Sequence, residues 1–264
     1  MSTKRIITFL SDFGTADGYA GSVKGVIRHI TPDCEIIDIT HEIPPYHITG
    51  AAFTLLNFYR YFPSDTIHLA VVDPGVGGYR KPVILRTAHH YFVGPDNGIF
   101  QYILQREACK AYEVNLNVVA RSGFSATFHA RDIFAPTAAY LARGTSPGEL
   151  GTKIENPGEY SSVPFERAGD RLSVKSVAID HFGNIIAGFC RQDLARLQKS
   201  AVSRVELRGF ITTKLNSSYQ QVEKGQPLAL WNSQDFLEIA INQGNASRHF
   251  NFDPLTDSID IIVE

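Results

Sequence analysis

The residues best suited to chemistry sit where apolar runs stop. Thr66-Ile67-His68-Leu69-Ala70-Val71-Val72 ends at Asp73-Pro74-Gly75-Val76-Gly77-Gly78-Tyr79-Arg80, so a β-like segment delivers a carboxylate into a Pro-Gly turn and an arginine returns seven residues on. In open α/β sheets ligands sit beyond the carboxyl ends of strands, and glycines let backbone approach them closely. The same residues would also make a plain turn capped by Asp73, with Arg80 in solvent. Other acids and amides recur at the ends of strand-like runs: Asp12, Asp17, Asp180, Asn184 and Asn232. Each alone reads first as a turn residue. Together they fit a polar ligand with several hydroxyl or amine groups. His129 and Asp132 stand just before a helical pattern, where a histidine either caps and packs or takes part in chemistry.

The elements that would hold these residues follow from periodicity. Arg5 to Leu10, Cys34 to Ile39 and Thr66 to Val72 are short, apolar and β-branched, as buried strands are. Between them, Tyr19 to Ile30 carries a helical stripe at Val23, Val26, Ile27 and Ile30, and Ile48 to Phe62 forms a second apolar-faced helix closed by Pro63. Strand–helix–strand–helix–strand predicts a mainly parallel sheet flanked by helices. Further strands are expected at 82–86, 91–93 and 110–114, and helices at 99–106 and 133–143. From Gly144 to Arg171 the composition shifts to Gly, Pro, Ser and Glu, which places a linker there and divides the chain into an α/β domain (1–165) and a second domain (170–264). The second domain reads as short β runs separated by turn signals, a small antiparallel barrel or sandwich.

Composition bounds the function. A chain of 264 residues with net charge −2 carries no electrostatic footprint for nucleic acid or an anionic membrane. No run approaches the ~18 apolar residues of a membrane span, and the apolar stretch after Arg5 is too short for a signal-peptide core. Three scattered cysteines, Cys34, Cys109 and Cys190, form no CxxC pair and fit reduced thiols, so a cytoplasmic location is expected. A metal-dependent hydrolase is one rival, because Asp12, Asp73, His41, His89, His90 and His129 are potential ligands. No HxH or HExxH spacing supports it, and His89-His90 in a strand would face opposite ways.

Ser11-Asp12-Phe13-Gly14, Asp73-Pro74-Gly75-Val76-Gly77, Gly94-Pro95-Asp96-Asn97-Gly98, Phe128-His129-Ala130-Arg131-Asp132, Asp180-His181-Phe182-Gly183-Asn184 and Asn242-Gln243-Gly244-Asn245-Ala246 together resemble the S-adenosyl-L-methionine hydroxide adenosyltransferases, relatives of the fluorinases and chlorinases. The resemblance runs from about Thr8 to Ala246. It implies an N-terminal α/β domain and a C-terminal small antiparallel β-barrel, assembled as a homotrimer with active sites at subunit interfaces. It implies hydrolysis of S-adenosyl-L-methionine to adenosine and L-methionine, with no cofactor and no metal. The family's Asp–Arg–His set falls on Asp73, Arg80 and His129. Asp12 would take the ribose diol, and Asp17, Asp180 and Asn184 the methionine end. Asn232 and Ser233 would lie near the methionine carboxylate, and Asn245 near the adenine edge. Phe128 and Phe182 would cover apolar surfaces, or serve as plain core aromatics, and Glu238 would be a further contact.

That chemistry is reasonable from the residues up. A sulfonium makes methionine a neutral leaving group, so water is the weak component and needs placement and a proton acceptor. Arg80 supplies fixed positive charge, and either His129 or Asp73 can accept the proton. The halogenases carry a tyrosine where Asp73 stands. A carboxylate there repels halide, which disfavours the halogenase alternative. A non-catalytic adenosine-binding protein is a second alternative, but it would not require Asp73, Arg80 and His129 together.

Overall fold

The structure is a computed structural model that describes residues 5–120, 123–158 and 165–264. The chain divides into two compact units, Met1–Tyr160 and Ser161–Glu264. In the first unit the order is β1 (Ile6–Ser11), α1 (Tyr19–Ile30), β2 (Glu35–Thr40), α2 (Ile48–Phe58), β3 (Ile67–Val71), β4 (Pro82–Arg86), β5 (Tyr91–Pro95), α3 (Gln101–Arg106), β6 (Lys110–Val114), α4 (Leu116–Val119), α5 (Ala135–Ala142), α6 (Pro147–Leu150) and β7 (Gly151–Ile154).

Seven strands form one sheet in the order β2-β1-β3-β5-β4-β6-β7. The β2–β1, β1–β3 and β3–β5 pairs are parallel, whereas β5–β4, β4–β6 and β6–β7 are antiparallel. The sheet is therefore mixed rather than mainly parallel. The cause is the tight connection at Thr87–His90, whose Thr87 N–H reaches His90 O at 3.0 Å and so forces a hairpin. His89 and His90 lie in that turn, not in a strand as expected. One short helix, α6, and β7 occupy part of the stretch assigned to a linker. The sequence hid β7 because it is a short edge strand with Thr152 and Lys153 exposed and no apolar repeat. A further strand, Phe165–Ala168, falls in it as well, and residues 159–164 lie outside the described residues.

Alternation along β3 shows how the two faces are covered. Ile67, Leu69 and Val71 join one apolar cluster with Val23 and Ile27 of α1 and Ala135, Ala138 and Leu141 of α5. His68 points the other way, against Phe58 of α2 at 5.6 Å between rings. A strand covered on both faces reads as a continuous apolar run, as β1 and β3 do. The second expected helix ends at Phe58 and tightens into a 3₁₀ turn at Tyr59–Tyr61. The fifth helix opens with a π-helical turn, Ala130–Phe134, which starts earlier than its apolar pattern suggests and makes His129 its N-cap.

The second unit contains β8 (Phe165–Ala168), β9 (Arg171–Val174), β10 (Ser176–Ile179), β11 (Ile185–Cys190), α7 (Arg191–Arg196), β12 (Val202–Leu207), β13 (Phe210–Thr212), β14 (Leu215–Asn216), β15 (Pro227–Trp231), β16 (Phe236–Ile241), α8 (Ala246–His249) and β17 (Ile259–Val263). They form two five-stranded sheets, β10-β11-β16-β15-β14 and β13-β12-β17-β9-β8. The expected closed barrel is not what forms: no ladder joins the two sheets among the described residues. A single apolar cluster, including Leu172, Ile185, Val205, Ile239 and Ile261, draws on both sheets, as in a sandwich. The run from Arg171 to Ile179, expected as one strand, breaks at Lys175 and serves both sheets. One pair, β14–β15, is parallel.

Candidate active site

Asp73 lies two residues beyond β3. The loop after it turns through Val76 N–H to Asp73 O (3.2 Å) and Gly78 N–H to Gly75 O (3.0 Å). Gly77 has φ +78°, and a Cβ there would meet Ala126 O at 2.5 Å, so only glycine lets this loop pack against the segment leading to His129. Behind it, the Asn97 side chain donates to Val72 O at 2.8 Å and pins the chain just before Asp73. The Gly94–Gly98 block thus supports the loop from outside the cavity. Asn97 stands in the Gly94–Gly98 sequence motif, where nothing in the sequence alone points to this bond.

The turn returns Arg80 onto Asp73. Arg80 Nε donates to Asp73 Oδ1 at 3.0 Å and Oδ2 at 2.9 Å, and Nη2 also reaches Oδ2. Nη2 lies 2.7 Å from His129 Nδ1, across 49 residues of sequence. The guanidinium carbon stands 5.3 Å from the Phe134 ring centroid, a cation–π contact from the π-helical turn. The side chains of Asp73 and Arg80 are only 5% and 9% exposed, so the pair is not a solvated surface bridge.

This geometry assigns the His129 proton. Arginine only donates, so Nδ1 must present its lone pair, and the neutral ring carries hydrogen on Nε2. Burial pushes the His129 pKa below its ordinary value and Arg80 pushes it the same way, outweighing the opposite pull of Asp73 and Asp132.

Asp73, His129 and Asp12 line one cavity of about 440 Å³, with Phe128, Tyr19 and Tyr46 among its other walls. Asp12 follows β1, and its Oδ2 accepts the Tyr46 N–H at 2.9 Å. Phe128 packs edge-on against Phe13 (6.0 Å) and Tyr19 (5.3 Å), with the Arg131 guanidinium 4.9 Å from its centroid. Asp132 of the same motif does not line the cavity: it accepts the Ser125 N–H at 2.8 Å and pairs with Arg131. Asp17 is exposed in the loop before α1 and does not line the cavity. Tyr19 and Tyr46 were not anticipated. The only signal for Tyr46 was its place after Pro44-Pro45.

In the second unit the remaining candidates gather around two hairpin turns. Asp180 Oδ1 accepts the N–H groups of Phe182 and Asn184, both at 2.9 Å, and Oδ2 accepts from the Asn184 amide at 2.8 Å. Gly183, at φ +86°, sits under Asn245, where a Cβ would come within 2.1 Å of the side chain. Asn245 Oδ1 caps α8 by accepting the Arg248 N–H at 2.8 Å. Asn232 Oδ1 accepts the N–H groups of Gln234 and Phe236, both at 3.0 Å, and Ser233 beside it is exposed. Glu238 is buried and accepts from the Tyr219 hydroxyl at 2.7 Å. Burial raises its pKa, and nearby Asp180 adds to that. Phe182 is 71% exposed at a turn tip, so it is not a core aromatic.

Among the described residues no three His, Cys, Asp or Glu side chains are grouped to hold a metal. No helix among the described residues is long and apolar enough to cross a membrane.

A mixed α/β unit with an Asp–Arg–His cluster beside a cavity, joined in one chain to a mainly β unit, defines a two-part α/β-plus-β class. Residues 7–151 match the SAM hydroxide adenosyltransferase N-terminal domain and residues 175–258 its C-terminal domain, and the chain belongs to that family. A relative from Methanocaldococcus jannaschii, named (R)-S-adenosyl-L-methionine hydrolase, is 34% identical over 97% of this chain and 95% of its own. One of the same name from Thermus thermophilus is 34% identical over 92% and 94%. A fluorinase from Actinopolyspora mzabensis is more distant, at 25% over 94% of each. Among solved structures, an uncharacterized conserved protein from Thermotoga maritima superposes with a TM-score of 0.83 at 32% identity, covering 97% of this chain and 99% of that one.

Proposed function

We infer that this chain hydrolyses S-adenosyl-L-methionine to adenosine and L-methionine, acting on the (R) sulfonium epimer for which its relatives are named. The observation that carries the reading is the Asp73–Arg80–His129 cluster on the wall of a cavity that also holds Asp12. Water attacks the ribose C5′. The C5′–O bond forms as C5′–S breaks, and the bonding pair returns to sulfur and quenches its charge. The proton released from water needs an acceptor. His129 has its Nδ1 lone pair engaged by Arg80 and hydrogen on Nε2, so Asp73 takes the proton while His129 donates. Arg80 holds both in register and offsets charge developing between them. Positioning of this kind contributes up to about 7–11 kcal/mol. The sulfonium is already an activated leaving group, so the reaction needs no cofactor.

Asp12 keeps Oδ1 and part of Oδ2 for the ribose hydroxyls, and Phe128 covers an apolar face of the ligand. Asp17, Asp180 and Asn184 serve the methionine end, Asn232 and Ser233 its carboxylate, Asn245 the adenine edge, with Glu238 and Phe182 as further contacts. We assign the catalytic cluster to a domain of residues 1–165 and these later contacts to one of residues 170–264, in a cytoplasmic homotrimer whose sites join the first domain of one subunit to the second of its neighbour. Support comes from the cavity lining, which belongs wholly to the first unit and has exposed Tyr19 and Tyr46 at its rim. Halogenation is the less favoured reading, because the Asp73 carboxylate on the cavity wall would repel an anionic halide.

The test is one incubation with S-adenosyl-L-methionine of both sulfonium epimers in ¹⁸O-labelled water. Adenosine labelled at O5′, formed at the expense of the (R) epimer, is the expected result. No adenosine would overturn the activity. Unlabelled adenosine in the first turnover would point to a covalent Asp73 ester cleaved at its carboxyl carbon.

A further inference from the structure

Ser11, His41 and Asp38 form a separate polar cluster of Ser–His–Asp type, behind the wall that carries Asp12. Ser11 ends β1 and is fully buried, and its Oγ lies 2.7 Å from His41 Nδ1. His41 follows β2 and is buried, with its ring edge-on to Phe9 at 4.6 Å. Its Nε2 stands 3.2 Å from Asp38 Oδ1, a close polar contact out of line for a hydrogen bond. Asp38 in turn pairs with Lys24 at 2.8 Å.

A nucleophilic serine is excluded by access, since Ser11 exposes no surface from which to attack a substrate. What the constellation does touch is the Asp12 loop. The His41 carbonyl accepts the Gly14 N–H at 2.7 Å, Thr15 Oγ1 donates to Glu42 at 3.0 Å, and the Tyr46 N–H donates to Asp12 Oδ2 at 2.9 Å. Tyr46 makes that bond from φ +69°, a conformation costly for a tyrosine that persists only where its surroundings hold it. The loop bearing Asp12 and the segment from His41 to Tyr46 are therefore stapled together by three hydrogen bonds.

We propose that Asp38, His41 and Ser11 are positioning residues that set the Asp12 carboxylate in the cavity, so that His41 governs recognition of the ligand's vicinal diol without touching it. The Ser11 hydroxyl donates to Nδ1, which leaves N–H on Nε2 facing Asp38. The imidazole thus ties Ser11, the neighbour of Asp12, to the end of β2 through its Nδ1. The functional consequence rests on the assignment of Asp12 to the ribose diol.

The experiment compares binding of adenosine and 2′-deoxyadenosine to the full-length protein, with amide exchange at Tyr46 followed in parallel. In His41→Ala, adenosine affinity should fall about tenfold, the loss from misplacing one charge-assisted hydrogen bond. Affinity for 2′-deoxyadenosine, which offers Asp12 only its 3′-hydroxyl, should fall less, and Tyr46 exchange should rise. His41→Asn, whose amide oxygen replaces the Nδ1 lone pair, should restore most of the discrimination. Asp38→Asn, at the half-exposed end, gives a milder shift in the same direction and remains informative if His41→Ala does not fold. Unchanged discrimination and unchanged Tyr46 exchange in both His41→Ala and Asp38→Asn, with discrimination lost in Asp12→Ala, would overturn the positioning role. If Asp12→Ala itself leaves discrimination intact, the ribose assignment falls, and Tyr46 exchange alone then decides whether His41 positions Asp12.

Discussion

Replacing Asp73 by asparagine separates the proposed proton acceptor from everything else that residue does. The amide keeps an oxygen for Arg80 Nε, and Arg80 keeps His129 Nδ1 and the Phe134 ring, so the guanidinium is not orphaned. What disappears is the negative charge. Charge-assisted bonds become ordinary ones, at a stability cost of about 1–3 kcal/mol. A domain of ordinary stability has about 5–15 kcal/mol, so even the worst case leaves ~2 kcal/mol and roughly 97% folded protein. Unfolding therefore cannot account for a large loss of rate. Removing a general base costs about 10²–10⁴-fold, or ~3–5.5 kcal/mol in barrier. The expected result is a kcat lowered by at least about a hundredfold, with adenosine affinity within about threefold of the parent. Single-turnover adenosine release and adenosine titration calorimetry measure the two separately. A kcat within about tenfold of the parent, or a rate loss mirrored fully in adenosine affinity, would refute the assignment of the proton to Asp73.

Three further outcomes follow from the geometry. Arg80→Lys keeps a charge but cannot reach both Asp73 oxygens and His129 at once, so kcat should fall about 10²-fold or more with circular dichroism unchanged; near-parental turnover would show that the fork is dispensable. His68 is buried on the face of β3 opposite α1, and burial with His90 nearby holds its pKa well below the ordinary value. The fold thus keeps it neutral while the unfolded chain takes a proton near pH ~6.5. Its stabilising contribution is complete above that pH and is lost as pH falls towards the folded pKa, by up to ~1.4 kcal/mol per pH unit. Urea midpoints should accordingly drop between pH 7.5 and 5.5, and less so in His68→Gln; an equal drop in both would remove His68 as the cause. Gly183→Ala forces a side chain into φ +86° and against Asn245, displacing the cap of α8. A loss of about 2 kcal/mol is expected from the cap and the backbone together, and an unchanged unfolding midpoint would contradict it.

Much of this protein was open to reading from residue order alone. The α1 span is recovered to the residue from its stripe of Val23, Val26 and Ile27, because a helix that buries one face writes its period into the chain. β1 and β3 were equally plain, since strands covered on both faces are apolar throughout. The Asp73 loop and the motif blocks were legible because Gly and Pro mark turns locally, and the family match covers both domains. Partners were not legible. Periodicity states which face a residue occupies but not what lies across from it, so the switch from parallel to antiparallel pairing at β5–β4 and the edge strand β7 awaited the structure. The division of the second unit into two sheets was hidden for the same reason, because a break at Lys175 looks like any polar residue in a strand. Only the tertiary structure could show that Arg80 bridges Asp73 to His129 and thereby fixes the histidine tautomer, or that Ser11 and Asp38 converge on His41. Those contacts join residues distant in sequence whose separations carry no period, and it is the packing of loops beyond the sheet that brings them within hydrogen-bond reach.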